Sequence, residues 1–210
     1  MPRLNWLRNL LTYINSLQAS FIYYRCMNAS YRITSFKYAR PLIAIHWLMF
    51  LFLVLTYAAI EFRVLFIKGT PERDLMKTLH FLLGLSVFLL LFFRVLARKY
   101  SPSPLNASSS GFASVLHYLS TIGHAALYVF MFTMPLLGWM VLSASGKTLL
   151  FAGVGLPALV PVDPDLAKLL KELHETMGKA GYLLIGIHVC AAFFHQWILK
   201  DRLFSRLRWR

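Results

Sequence analysis

Seven histidines, His46, His80, His117, His124, His174, His188 and His195, sit in or beside four long apolar runs of this 210-residue chain. An ionisable side chain is costly in hydrocarbon and usually marks function there. One such histidine is explained equally well by a hydrogen bond across a helix interface. Seven in the same runs are not. Neutral imidazole is a good iron ligand, and two imidazoles facing each other across a helical bundle make a haem site. With protein in both axial positions, no position remains for dioxygen, and the task left to the iron is electron exchange. A proton relay is the competing chemistry for the same residues.

Depth sorts the histidines into levels. His46 lies near the start of the first apolar run, and His80 near the start of the second, which runs the opposite way. His174 opens the fourth run, and His188 follows it by 14 residues. At 100° per residue that offset is about 40° short of four turns, so both face one side, about 21 Å apart along the axis. His80 therefore matches His174 at one level, and His46 matches His188 at the other. His124, about a third of the way into the third run, lies at a depth similar to His188 and competes for the second level. His117 and His195 lie nearer the interface and read as hydrogen-bonding groups there, with quinone binding or proton delivery as the sharper alternative. Gly84 and Gly178 each follow a histidine by four residues, on the same helix face. A glycine there lets a flat macrocycle approach the backbone, although glycine also serves helix packing in membranes. Arg94 closes the second run and either snorkels to head groups or pairs with a haem propionate, whose carboxylate matches a guanidinium. It is carried as a candidate cofactor-binding residue.

The elements that position these residues are membrane spans. The chain is 58% hydrophobic and only 14% charged, against roughly 25% charged in a soluble domain. A spanning helix needs about 20 mostly apolar residues. Leu42–Ile60, Leu75–Leu96, Phe112–Leu142 and Leu173–Leu199 meet that need, the third holding Pro135 and Gly138 as a kink signal. The expected fold is an all-α integral membrane four-helix bundle. Basic residues are unequally shared. Arg3, Arg8, Arg25, Arg32, Lys37, Arg40, Arg94, Arg98, Lys99, Lys200, Arg202, Arg206, Arg208 and Arg210 lie on one side. The other side has Arg63, Lys68, Arg73, Lys77, Lys147, Lys168 and Lys171, with seven of the eight acidic residues. The positive-inside rule then puts both termini in the cytoplasm. The formal net charge of +14 is accounted for by an anionic lipid surface. No basic stripe shares an exposed helix with aromatics, which argues against nucleic acid. Arg63, Lys68, Arg73 and Lys77 form an outer basic rim that either steers a small anion or meets the acidic residues of its own loops.

Cys26 and Cys190 form no disulfide framework or zinc pattern, and no C-x-x-C-H occurs, so any haem is held non-covalently. The domain reading is a basic extension at 1–40, a transmembrane domain at 41–202 and a basic tail at 203–210. Leu10–Tyr24 lacks charges but carries Asn15, Ser16, Gln18 and Ser20, too polar for a signal core. It reads as a basic surface segment, and Met27 is a second candidate start. The loop Ser143–Lys171 contains an apolar stretch, Leu149–Val160, too short and too interrupted to span, which is expected to cap the outer surface.

Several motifs taken in order resemble the bacterial cytochrome b561 family. They are Ala44-Ile45-His46-Trp47-Leu48, Tyr57-Ala58-Ala59-Ile60-Glu61-Phe62-Arg63 and Lys77-Thr78-Leu79-His80. Met134-Pro135-Leu136-Leu137-Gly138, Leu173-His174-Glu175-Thr176, Gly186-Ile187-His188, Phe194-His195-Gln196 and Lys200-Asp201 follow. The resemblance covers about Arg40 to Arg202; the extension before it departs from the family pattern. It implies two non-covalent b-type haems. The ligands it implies are His46, His80, His174 and His188, from the first, second and fourth spans, which demotes His124. It further implies exchange of electrons with membrane quinone, ubiquinone as acceptor, superoxide oxidation at the periplasmic face in at least some members, and a bacterial inner-membrane location. A carrier subunit serving a separate oxidoreductase is the alternative. A proton-coupled transporter is less favoured, because internal repeats and broken helices are absent from the sequence apart from the signal at Pro135.

Overall fold

The computed structural model describes residues 8–16, 18–19, 22, 40–100, 112–148, 150–151 and 153–200. The tail at 203–210 and most of the extension lie outside them. Four long helices dominate: α1 (Arg40–Phe62), α2 (Pro71–Lys99), α3 (Phe112–Ala144) and α4 (Pro164–Phe193). All four are long and apolar enough to cross a membrane. A two-residue strand pair, β1 (Leu150–Phe151) and β2 (Val154–Gly155), lies antiparallel between α3 and α4. By compactness the chain falls into two units. One comprises Ala39–Ser101 and Ala125–Ile187; the other comprises Met1–Tyr38, Pro102–His124 and His188–Arg210.

Helix ends follow from local chemistry. After α1 a 3-10 turn, Arg63–Leu65, leads into Gly69, whose φ of +90° is strained for a residue with a Cβ. Pro71 opens α2 at a position where its missing N–H costs nothing. Arg73 Nη1 donates to the carbonyls of Phe66 at 2.7 Å and Arg63 at 3.3 Å. That closes the α1–α2 turn by satisfying carbonyls the helix end leaves over. Helix α3 ends in a Schellman motif: Lys147 N–H donates to Leu142 O and Gly146 N–H to Ser143 O, both at 3.0 Å, with Gly146 at φ +70°.

Helix α4 begins at Pro164, nine residues before the expected start of its apolar run at Leu173. Asp163 caps it, its Oδ1 accepting the N–H groups of Asp165 at 2.9 Å and Leu166 at 3.0 Å. The Asp163-Pro164 pair is the signal that hydrophobicity alone overlooks. The preceding loop packs on the unit of α1 and α2. Trp139 Nε1–H donates to Pro157 O at 3.1 Å, Leu159 N–H to Ser143 Oγ at 3.2 Å, and Asp163 N–H to Ala144 O at 2.9 Å. Phe151 and Leu156 of the loop join Phe81 and Trp139 around buried Leu85 and Leu142.

The surface is apolar where a soluble protein's would be polar. Trp47, Phe50, Leu51, Phe92, Phe93, Val129 and Leu183 are among the exposed large side chains, as expected where lipid is the solvent. Close approach between helices rests on small residues. Gly181 is buried, and a Cβ there would collide with the Tyr57 hydroxyl and the Phe130 ring. Tyr57 Oη also donates to Gly178 O at 2.9 Å, one turn earlier on α4. Gly181→Leu is expected to lower stability by about 1–3 kcal/mol through this overpacking, read as a lower Tm of the detergent-solubilised protein; an unchanged Tm would show that the helices do not meet here.

Candidate functional site

His80 of α2 and His174 of α4 face each other, ring centres 6.0 Å apart and planes at 85°. Both are half-buried. His80 Nδ1 lies 3.0 Å from the carbonyl oxygen of Thr56 on α1. A carbonyl only accepts, so Nδ1 carries the proton and Nε2 keeps its lone pair. That is how a metal-ligating histidine is usually oriented, by a bond at the far nitrogen. The Thr56 hydroxyl is turned back to Phe52 O at 2.7 Å, so the main chain, not the side chain, does the orienting.

The His174 ring lies against α3 at Gly138. A Cβ at Gly138 would stand 3.3 Å from His174 Cε1, inside ordinary contact distance. His174 Nδ1 is buried and faces the Met134 carbonyl without meeting regular hydrogen-bond geometry. It has no hydrogen-bond partner among the described residues. At Gly84, one turn after His80, a Cβ would meet open space.

This pair fits a haem. A metal–imidazole bond is about 2 Å long and the ring centre lies about 1.1 Å beyond the nitrogen, so two axial imidazoles on one iron stand about 6 Å apart, centre to centre. The observed spacing matches. With Nδ1 of His80 protonated, its Nε2 lone pair would be free to ligate an iron held between the two rings.

Arg94 is half-buried near the far end of α2. Its Nε donates to the Tyr128 hydroxyl at 3.2 Å, while Nη1 is buried without a partner among the described residues. An unpaired guanidinium N–H is expensive in such surroundings, and a carboxylate is its natural complement. Arg63 Nε is stranded likewise. Among the basic residues of these loops, Lys77 pairs with Asp74 at 2.6 Å and Lys171 with Glu175 at 3.8 Å. These exposed bridges are worth little energetically.

The remaining histidines divide as follows. His188 of α4 faces His124 of α3, ring centres 5.4 Å apart and planes at 76°, within one compact unit. His124 Nδ1 lies 2.7 Å from Ser120 O, which fixes the proton on that nitrogen too. His46, half-buried on α1, sits edge-on to Trp47 at 5.7 Å and belongs to the other unit. His117 is exposed on α3. His195 lies in a π-helical turn, Phe194–Leu199, that ends α4's run; such turns recur at functional sites.

Comparison with known proteins decides the family. The family model described as prokaryotic cytochrome b561 matches residues 37–209. The chain belongs to the prokaryotic cytochrome b561 family. "Cytochrome b561 homolog 1" of Escherichia coli (strain K12) is 35% identical over 176 residues, covering 81% of this chain and 96% of that one. "Probable superoxide oxidase CybB" of Yersinia pestis is 29% identical over 174 residues, covering 81% and 95%. "Cytochrome b561 homolog 2" of the same Escherichia coli strain is 28% identical over 130 residues, covering 61% and 68%. For a cytochrome b561, four apolar helices mean an inner-membrane protein that transfers electrons by way of b-type haem. Gly138→Val is expected to displace the His174 ring and alter the low-spin EPR signal of bound haem while leaving the helical CD spectrum intact. An unaltered EPR signal would show that the His174 ring is not held in place by the space at Gly138.

Proposed function

We propose that the chain binds two b-type haems and carries electrons from a periplasmic donor to ubiquinone, with superoxide as the favoured donor. The observation that carries this reading is the His80–His174 pair at 6.0 Å, with His80 oriented by the Thr56 carbonyl. A b-type haem bound there supplies reversible one-electron exchange at its iron. His80 and His174 would hold one haem; His46 and His188 would hold the other. Matching depth along the spans and the motifs Ala44–Leu48 and Gly186–His188 support the second set. Arg94, with its stranded Nη1, would bind a propionate. The basic asymmetry of the loops supports cytoplasmic termini and a periplasmic position for the His80–His174 level.

The name of the Yersinia pestis relative supports superoxide as donor. The net chemistry balances: two superoxide anions each lose one electron and leave as dioxygen, and the two electrons with two protons convert a quinone to a quinol. In this reading the chain's part is to bind, orient and separate. Phe81 lies edge-on to His80 at 5.9 Å and belongs to the apolar cluster around Leu85 and Leu142. The outer rim attracts an anion over long range.

A second reading of the inner set has an observation in its favour: His124, not His46, faces His188 at 5.4 Å. Haem quantified per chain, with a reduced-minus-oxidised spectrum, separates the two. About two low-spin haems per chain are expected, falling to about one in His80→Ala and His174→Ala. His46→Ala is expected to lose the other haem and His124→Ala to retain it; the reverse result would transfer the ligand role to His124. A haem-free protein would sink the electron-transfer assignment of these residues altogether. In proteoliposomes loaded with ubiquinone, Lys77→Glu is expected to slow superoxide consumption several-fold at low ionic strength, the difference closing as salt screens the rim. Equal rates at low salt would remove superoxide steering from the account.

A further inference from the structure

The chain ahead of the family-matched residues carries a surface of its own. The match begins at residue 37, and the relatives covered to 96% and 95% of their length account for only 81% of this chain. Residues 8–16 are helical. At 100° per residue, Leu10, Leu11, Tyr13 and Ile14 fall on one arc, and Arg8, Asn9, Thr12, Asn15 and Ser16 on the other.

The apolar arc is uncovered: Leu10 is 45% exposed, Leu11 58%, Tyr13 63% and Ile14 40%. The polar arc closes on itself, with Thr12 Oγ1 donating to Arg8 O and Ser16 Oγ to Tyr13 O, both at 2.7 Å. A helix with a clean apolar face, a polar face and too short an apolar run to span lies in the plane of the membrane interface. Charge identifies the lipid. Arg3, Arg8, Arg25, Arg32, Lys37 and Arg40 precede the first acidic residue of the chain, Glu61, and basic residues beside an apolar face select anionic head groups. The helix is on the same chain as α1, which begins at Arg40, so it is tethered to a span.

We propose that the helix at 8–16 is an amphipathic anchor that docks on the anionic phospholipid surface of the membrane crossed by the four long helices. The anchor is independent of the haem assignment, because it lies outside the family-matched residues.

The test uses the full-length haem-loaded protein in vesicles of phosphatidylcholine alone or mixed with phosphatidylglycerol, with hydrogen exchange followed by mass spectrometry. Amides of residues 8–16 are expected to exchange at least about tenfold more slowly in the phosphatidylglycerol vesicles. That protection is expected to vanish in a Leu10→Glu, Leu11→Glu variant. It is expected to weaken in Arg3→Gln, Arg8→Gln, which keeps the apolar face, and in high salt. Haem content is expected to stay constant throughout, which separates this test from that of the haem ligands. Equal exchange in the two kinds of vesicle would overturn the proposal. So would protection that survives the two glutamates, since protein rather than lipid would then cover the face.

Discussion

An imidazole inside hydrocarbon has two nitrogens to satisfy and no water to satisfy them, and the arrangement of this bundle follows from that constraint. His80 uses Nδ1 on the Thr56 carbonyl, which requires α1 to lie alongside α2. Its ring centre stands 6.0 Å from that of His174, which requires α4 to lie opposite. A carbonyl that already belongs to a helix can accept a second bond at no cost to that helix, because oxygen has two lone pairs. The site therefore orients a ligand without unwinding anything in the membrane.

Packing supports the same geometry. In a bilayer, helix association gains little from the hydrophobic effect, so close contact and hydrogen bonds between helices must hold the bundle. Tyr57 supplies both: its ring and hydroxyl fill the notch at Gly181, and the hydroxyl bonds Gly178 O. Tyr57 is the neighbour of Thr56 on α1, so adjacent residues tie α1 to α4 and to His80 of α2. At the end of the spans, the capped start of α4 at Asp163 and the Schellman end of α3 at Gly146 set the length of the connecting loop. Its Phe151 and Leu156 can then reach Phe81, next to His80. A loop that is irregular in sequence thus packs on the helices through the Leu85 and Leu142 cluster.

Much of this was legible in the residues alone. Four spans follow from apolar length, because about 20 residues of helix are what the bilayer demands. The pairing of His80 with His174 follows from depth, since the second and fourth spans run in the same direction and each carries its histidine near its start. The family follows from ordered motifs around those histidines, and the match over residues 37–209 agrees with it. Asp163-Pro164 was equally legible as a cap, yet a reading led by hydropathy places the helix start at Leu173, where the apolar run begins.

What tertiary structure alone decided is which groups meet across helices. The Thr56 carbonyl has no signature in sequence, since every residue carries one. Tyr128 and Gly138 become meaningful only when α3 lies beside Arg94 and His174. The neighbour of His188 is of the same kind. Depth admits both His46 and His124, because depth gives height along a helix but not rotation about the bundle axis, and the fold brings the His124 ring to 5.4 Å. Sequence determined how far along the membrane normal each histidine lies, through the rise of an α-helix. Azimuth, which decides which side chains share a metal, came only from the packing of one helix against another.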